Sequence, residues 1–251
     1  MIPAESRLFR AYLNASHSAH GQPLYHAAVL VARDLHMAGA SVFLVDLCFG
    51  THRQLRDARS EYLFVDIPVV FEVVDSAEKM DLLKARLAPM IDAVFATEEP
   101  VRVVRYAHHG DRSGPVSSSP GEDPGHQQHR FDPGRTPPMP SEGAAERVTV
   151  YVGSSDTWHG RNLAMAIVEH CRKAGIAGAT ASLGVMGFGK SSHIHRAHLL
   201  SISGDLPERV EIVDSAEQIE KLLPALETMV EGGLIIREEV RTIRYGHHPK
   251  A

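Results

Sequence analysis

From Arg147 to Gly153 the chain reads Arg-Val-Thr-Val-Tyr-Val-Gly, with polar and apolar residues alternating at the period of a half-buried strand. The period changes between Asn162 and Ala174, where apolar residues recur at helical spacing up to a stop at Gly175. Ala179–Met186 predicts a second strand. His195–Ser203 and Glu208–Asp214 predict two more, placed around the turn Gly204-Asp205-Leu206-Pro207. Asp214-Ser215 then offers a cap for a second helix, with Glu217 in its first turn and Gly232-Gly233 at its end. Leu234–Tyr245 supplies the last strand. The order βαββαβ predicts a ferredoxin-like half-sandwich, with both helices on one face of an antiparallel sheet.

The same pattern occurs twice. Sliding the chain against itself by 139 residues brings Tyr12 onto Tyr151, His20-Gly21 onto His159-Gly160 and Ala38-Gly39-Ala40 onto Ala177-Gly178-Ala179. Phe49-Gly50 falls on Phe188-Gly189, Pro68 on Pro207, and Glu72-Val-Val-Asp-Ser-Ala-Glu78 on Glu211-Ile-Val-Asp-Ser-Ala-Glu217. Residues 110–146 separate the copies and are rich in Pro, Gly and Ser, with almost nothing to bury. Such a segment cannot offset its ordering entropy and reads as a flexible tether. The fold class expected is therefore α+β: a domain over 1–109, a disordered linker over 110–146 and a second domain over 147–251.

Composition narrows the function. With 251 residues and 43% hydrophobic content, the chain can bury two cores of domain size. A net charge of -5 speaks against a nucleic-acid surface. Cys48 and Cys171 lie in different halves without a CxxC partner, so neither a disulfide framework nor a thiolate zinc site is expected. The N-terminus lacks a signal-peptide pattern and no apolar run is long enough to cross a membrane; a cytoplasmic protein without membrane insertion is the expectation.

Several runs of the second copy resemble the PII-like family known as domain of unknown function 190. These are Tyr151–Gly160 (Tyr-Val-Gly-Ser-Ser-Asp-Thr-Trp-His-Gly), Gly178-Ala179-Thr180, Gly187–His195 (Gly-Phe-Gly-Lys-Ser-Ser-His-Ile-His), Val210–Ser215 and Ile243-Arg244-Tyr245. The first copy resembles it more loosely. The resemblance implies a PII-like fold, assembly of three chains, and binding of a nucleotide or small anion in clefts between subunits, signalled to a partner through a long loop after the second strand. Gly187-Phe188-Gly189-Lys190 corresponds to the start of that loop, and Arg241 and Arg244 fall where PII proteins set arginines against phosphates. Glu231–Leu234 is short and lacks the lysine-bearing loop that PII proteins use on ATP, which argues against ATP. The family's association with fluoride-channel genes makes a membrane transporter one candidate partner.

Other constellations have plainer readings. Gly184–Ser191 matches the P-loop pattern, but the elements around it are not the βαβ units of a P-loop fold. Ser154, Ser155, Asp156 and His159 are too close in sequence to converge as a triad. His193 and His195, with His159 from another element, form a candidate metal set. Trp158, the one tryptophan, suits ligand stacking or a subunit contact. In the first copy Trp158 is replaced by Ala19, Gly187 by Cys48, and Lys190–His195 by Thr51–Arg56, so one active and one scaffolding copy are expected. The leading expectation is a non-catalytic regulatory protein binding a small anionic effector near Trp158, His159, Gly160, Gly187, Phe188, Gly189, Lys190, Ser191, Arg241 and Arg244, with no firmly implied cofactor. The alternatives are a histidine metal-binding protein and a purely structural assembly module.

Overall fold

A computed structural model of the chain describes residues 2–14, 17–19, 21–45, 47–49, 55–57, 68–90, 95–107, 143–189, 194–196 and 205–243. The first repeat contains β1 (Glu5–Asn14), α1 (Leu24–Asp34), β2 (Ala40–Leu44), β3 (Pro68–Asp75), α2 (Ala77–Leu87) and β4 (Phe95–Ala107). The second contains β5 (Gly143–Gly153), α3 (Leu163–Lys173), β6 (Gly178–Phe188), β7 (Pro207–Asp214), α4 (Ala216–Met229) and β8 (Gly233–Thr242). The strand β5 starts ahead of the boundary expected at residue 147, and residues 110–142 of the expected tether lie outside the described residues.

Local chemistry sets the helix starts. The Ser76 and Ser215 hydroxyls accept from the backbone N–H groups of Lys79 and Gln218, and the Asn162 side chain accepts from Met165 N–H at 2.8 Å. Just before each serine stands a buried aspartate. Asp75 accepts from Ala38 N–H at 2.7 Å and from Ser76 N–H at 2.8 Å; Asp214 accepts from Ala177 N–H at 2.8 Å and from Ser215 N–H at 2.6 Å. The Val-Asp-Ser run of both repeats thus joins the end of one strand to the start of another and caps the helix that follows.

The eight long strands form one antiparallel sheet in the order β6-β7-β5-β8-β4-β1-β3-β2, and β2 pairs back onto β6. The protein is a mixed α/β chain of two repeats, but their sheets do not end at separate edges: they share both edges and close an eight-stranded barrel. One seam runs along β4 and β8, from Ala107 opposite Gly233 to Arg102 opposite Arg237. The other, between β2 and β6, is shorter, running from Phe43 opposite Gly184 to Ala40 opposite Phe188 with a break in register after Gly184.

Strand alternation sends one set of side chains outward to the helices and the other into the barrel. Outside, Phe9, Ala11, Val42, Phe71 and Val73 pack with Val29, Met80 and Leu83 of the first repeat's helices. Val148, Val150, Val210, Ile212 and Ile235 pack with Leu163, Ile167, Ile219 and Leu226 in the second. Met186 and Phe188 of the second repeat belong to the first repeat's core, so the cores are interlocked. Inside, Leu8, Val74, Val101 and Ile236 form a small apolar cluster.

The second seam corrects the reading of the glycine run. Gly187 and Phe188 continue β6 instead of opening a loop, and the strand is longer than the expected Ala179–Met186 because β2 is there to pair with it. A Cβ at Gly184 would stand 2.7 Å from Pro207 Cγ and 2.9 Å from the Val42 carbonyl oxygen; one at Gly187 would stand 2.6 Å from the Ala40 carbonyl oxygen. These glycines let two repeats approach, where the P-loop pattern would have them cradle phosphate. The Gly187→Ala variant should lose about 1–3 kcal/mol of stability in urea denaturation. Gly189→Ala, whose Cβ meets nothing within 4 Å, should stay within about 0.5 kcal/mol of the parent; equal losses would contradict the seam explanation.

Candidate functional site

At one end of the barrel a cavity of about 210 Å³ opens between the repeats. The first repeat contributes the approach to β2 (Ala38–Ser41), the end of β3 (Glu72–Val74) and Ala107; the second contributes the end of β5 (Tyr151–Gly153), Gly187–Gly189, His195, Asp205, Pro207 and the start of β8. The division into one active and one scaffolding copy does not describe this cavity, since both copies wall it.

Its floor is the Glu72 carboxylate, on a residue only 2% exposed. Oε1 accepts from Arg10 Nε at 2.6 Å and from Arg209 Nη1 at 2.5 Å, and Oε2 accepts from the Tyr151 hydroxyl at 2.9 Å. Two of these three donors come from the other repeat. Arg209 also lies over the Phe43 ring at 4.5 Å. Burial opposes the Arg10 charge, but Glu72 more than compensates and pushes the guanidinium pKa up. Burial, reinforced by Glu72, holds the Tyr151 hydroxyl well above the ordinary tyrosine range.

Deeper in the barrel the network continues to the first seam. Arg147 donates to Glu238 at 2.9 Å and to Glu99 at 3.3 Å, and Arg10 reaches Glu99 at 3.4 Å. Glu99 and Glu238 are repeat equivalents on β4 and β8. Burial raises the Glu238 carboxyl above the usual range against the opposing pull of Arg147, and the neighbouring Glu99 adds to the rise.

The rim is held by its own backbone bonds. Asp205 accepts from Ser155 N–H at 2.9 Å, and a Cβ at Gly153 would collide with its carboxylate. Leu206 N–H donates to the Ser154 hydroxyl at 3.0 Å, Ser154 N–H donates back to the Leu206 carbonyl at 2.7 Å, and Gly153 N–H donates to Asp156 at 2.8 Å. Ser154, Ser155 and Asp156 therefore close a loop.

Of the residues singled out from the sequence, Gly187, Phe188, Gly189 and His195 meet at the cavity. Trp158, His159 and Gly160 do not line it. They form a tight hairpin in which Thr157–Trp158 pairs with Arg161–Asn162. His159 and Gly160 take positive φ values of 50° and 74° at its turn. Trp158 packs against the second core, its ring edge-on to His159 at 4.5 Å. Arg241 lies far along β8 from the cavity, opposite Ala144. Lys190, Ser191, His193 and Arg244 lie outside the described residues, and so does most of the expected strand His195–Ser203. Among the described residues no group of three or more His, Cys, Asp or Glu is placed to hold a metal. No helix among them is long and apolar enough to cross a membrane. The sequence reading missed Ser41, Glu72, Tyr151 and Asp205 as site residues; the signal available was the identity of Glu72 with Glu211 and of Tyr12 with Tyr151 across the repeat.

Fold and cavity define a tandem-repeat α/β protein whose two copies jointly enclose a charged interior. The chain belongs to the family described as Uncharacterized ACR, COG1993 (DUF190), which it matches twice, over residues 6–103 and 145–242. A UPF0166 protein of Aquifex aeolicus is 28% identical over 94 residues, covering 38% of this chain and 89% of that protein. A UPF0166 protein of Methanocaldococcus jannaschii is 31% identical over 93 residues, covering 37% of this chain and 85% of that protein. Among solved structures, an unknown protein from Galdieria sulphuraria aligns over 94% of this chain and 98% of its own at 12% identity and a TM-score of 0.26. The acetolactate synthase small subunit of Thermotoga maritima aligns over 96% and 99% at 11% identity and a TM-score of 0.24.

Tyr151→Phe leaves Glu72 Oε2 short of a partner and should cost about 1–3 kcal/mol. Its repeat equivalent Tyr12→Phe, at a residue 43% exposed, should cost no more than about 0.5 kcal/mol in the same denaturation assay. For Glu238 the folded-state pKa is raised, so its contribution to stability is full below the unfolded value of about 4.3 and is lost as pH rises through the folded value. Glu238→Gln should be at least as stable as the parent at neutral pH and show a flatter stability–pH profile between the unfolded and the folded value.

Proposed function

We propose that the chain is a non-catalytic, PII-like regulatory protein, built of two ferredoxin-like halves, that binds a small effector at the barrel mouth. The observation that carries this reading is the cavity itself, which is concave, walled by both repeats and floored by a fixed polar group, the arrangement expected of a ligand site. In this reading the space between the repeats of one chain does what a cleft between subunits does in a PII assembly. An occupant touches both repeats and so couples them, which a partner protein can read.

Size favours a small effector. Enclosing ligand clefts run to roughly 300–1,000 Å³, so a cavity of about 210 Å³ suits a compact metabolite better than a whole nucleotide. Binding without turnover is supported by the hydrogen bonds that tie Glu72, Tyr151 and Asp205 into the frame.

A thermal-shift screen of the full chain against small metabolites, nucleotides and inorganic anions tests the reading, because binding to the folded state alone raises the melting temperature. A compact organic compound should stabilise the parent. The shift should disappear in Gly189→Trp, which adds bulk at the mouth where a Cβ meets no neighbour. A shift that persists in that variant would place the ligand elsewhere, and no shift with any compound would overturn the reading.

A further inference from the structure

We infer that Glu99 and Glu238 share one proton across the first seam and that this proton holds β4 to β8, so that the join between the repeats loosens when it leaves.

Strand alternation turns Glu72, Glu99, Glu211 and Glu238 into the barrel, two pairs of repeat equivalents. Among the described residues they meet three guanidinium groups, those of Arg10, Arg147 and Arg209. The strands β2 and β6 contain no charged residue and do not change this count. Four acids against three bases leave one carboxyl without a counter-charge, and a bound proton removes the imbalance.

The contacts say which carboxyls hold it. Glu72 has three donors, and Glu211 lies 3.3 Å from Arg209 and 4.0 Å from Arg147. The Glu238 side chain is 7% exposed and has one guanidinium, Arg147, at 2.9 Å. That guanidinium is divided, because its Nη2 turns to Glu99 at 3.3 Å. Arg10 reaches Glu99 only at 3.4 Å and is bound more closely to Glu72 at 2.6 Å. The Glu99 and Glu238 carboxyls stand within hydrogen-bond reach of each other. Two carboxyls so placed can bond only when one of them carries a proton. The repeat equivalent of Arg147 is Leu8, so the duplicated acid has no duplicated base.

The pair sits where the repeats join. Strand pairing runs from Ala107 opposite Gly233 to Arg102 opposite Arg237, and Glu238 follows at once. Without the proton two like charges face each other across the seam. Ala107 and Gly233, at the other end of the same strands, wall the cavity, so a looser seam also loosens the mouth, whether or not an effector binds there. The closed seam holds the proton more tightly than the open one. Its hold is therefore full below the ordinary glutamate value of about 4.3 and is lost as pH rises through the value of the pair.

Two measurements on the full-length chain test the inference together. Carboxyl ¹³C NMR follows the titration of Glu99 and Glu238, and amide hydrogen exchange follows the bonds that β4 and β8 give each other. The upper midpoint of the pair should lie above about 4.3, and Glu99→Gln should lower the midpoint of Glu238. Corrected for intrinsic exchange, seam protection should fall through the upper midpoint by up to about tenfold for each unit of its elevation. Amides bonding β5 to β7 should change less, and in Glu238→Gln the fall at the seam should vanish. A pair that titrates wholly at or below the ordinary value would overturn the shared proton. Seam protection that ignores the midpoint, or an equal fall between β5 and β7, would overturn its hold on the seam. If Glu238→Gln does not fold, the parent and Glu99→Gln titrations decide.

Discussion

The Glu72 carboxyl lies almost closed off from solvent, and it is tolerated there because three donors converge on it. Taking an ion out of water costs several kcal/mol even after relaxation, and the attraction between partners offsets this only when the geometry is complete. Completeness here needs both repeats: Arg10 comes from β1, while Arg209 and Tyr151 come from β7 and β5. The charged interior therefore depends on barrel closure, and closure depends on an interior filled this way. Helix packing, seam glycines and rim loop all serve to keep these groups at bonding distance.

The two repeats agree where they build the frame and differ where they fill it. Asp75 and Asp214 clamp equivalent backbone groups, and Ser76 and Ser215 cap equivalent helices. Inside the barrel, Arg10 corresponds to Thr149, Leu8 to Arg147 and Val70 to Arg209. Each arginine thus occurs once, against acids that occur twice. At Tyr12, the equivalent of Tyr151, the ring lies exposed beside Phe95 at 5.3 Å instead of meeting a buried carboxylate.

The elements were readable from the sequence because their periods are clean. Apolar positions of Arg147–Gly153 and Val210–Asp214 alternate against one helix layer, and the Ser215 cap marks its helix directly. Barrel closure was not readable. The edges of β2 and β6 look like any other strand edges, and whether they pair depends on two segments far apart in the chain. The polar face of each strand read as solvent-facing, since alternation shows which residues share a side and not what that side meets. That is why Glu72 does not stand out in the sequence, while the glycines of β6 stand out without any sign that they also seat β2. Trp158, His159 and Gly160 drew attention by residue type, although a tight hairpin with positive φ at its turn accounts for their pattern.

Both seams form between parts of one polypeptide. Two free copies would meet only as often as their concentration allowed, and dilution would part them. A covalent connection replaces that with an effective concentration that does not change when the protein is scarce. It also removes a symmetry rule, because in a pair of identical copies any charge near the axis faces its own duplicate. Fusion lets one half carry an arginine where the other carries valine, so the halves can drift into complementary roles that identical halves could never divide between them.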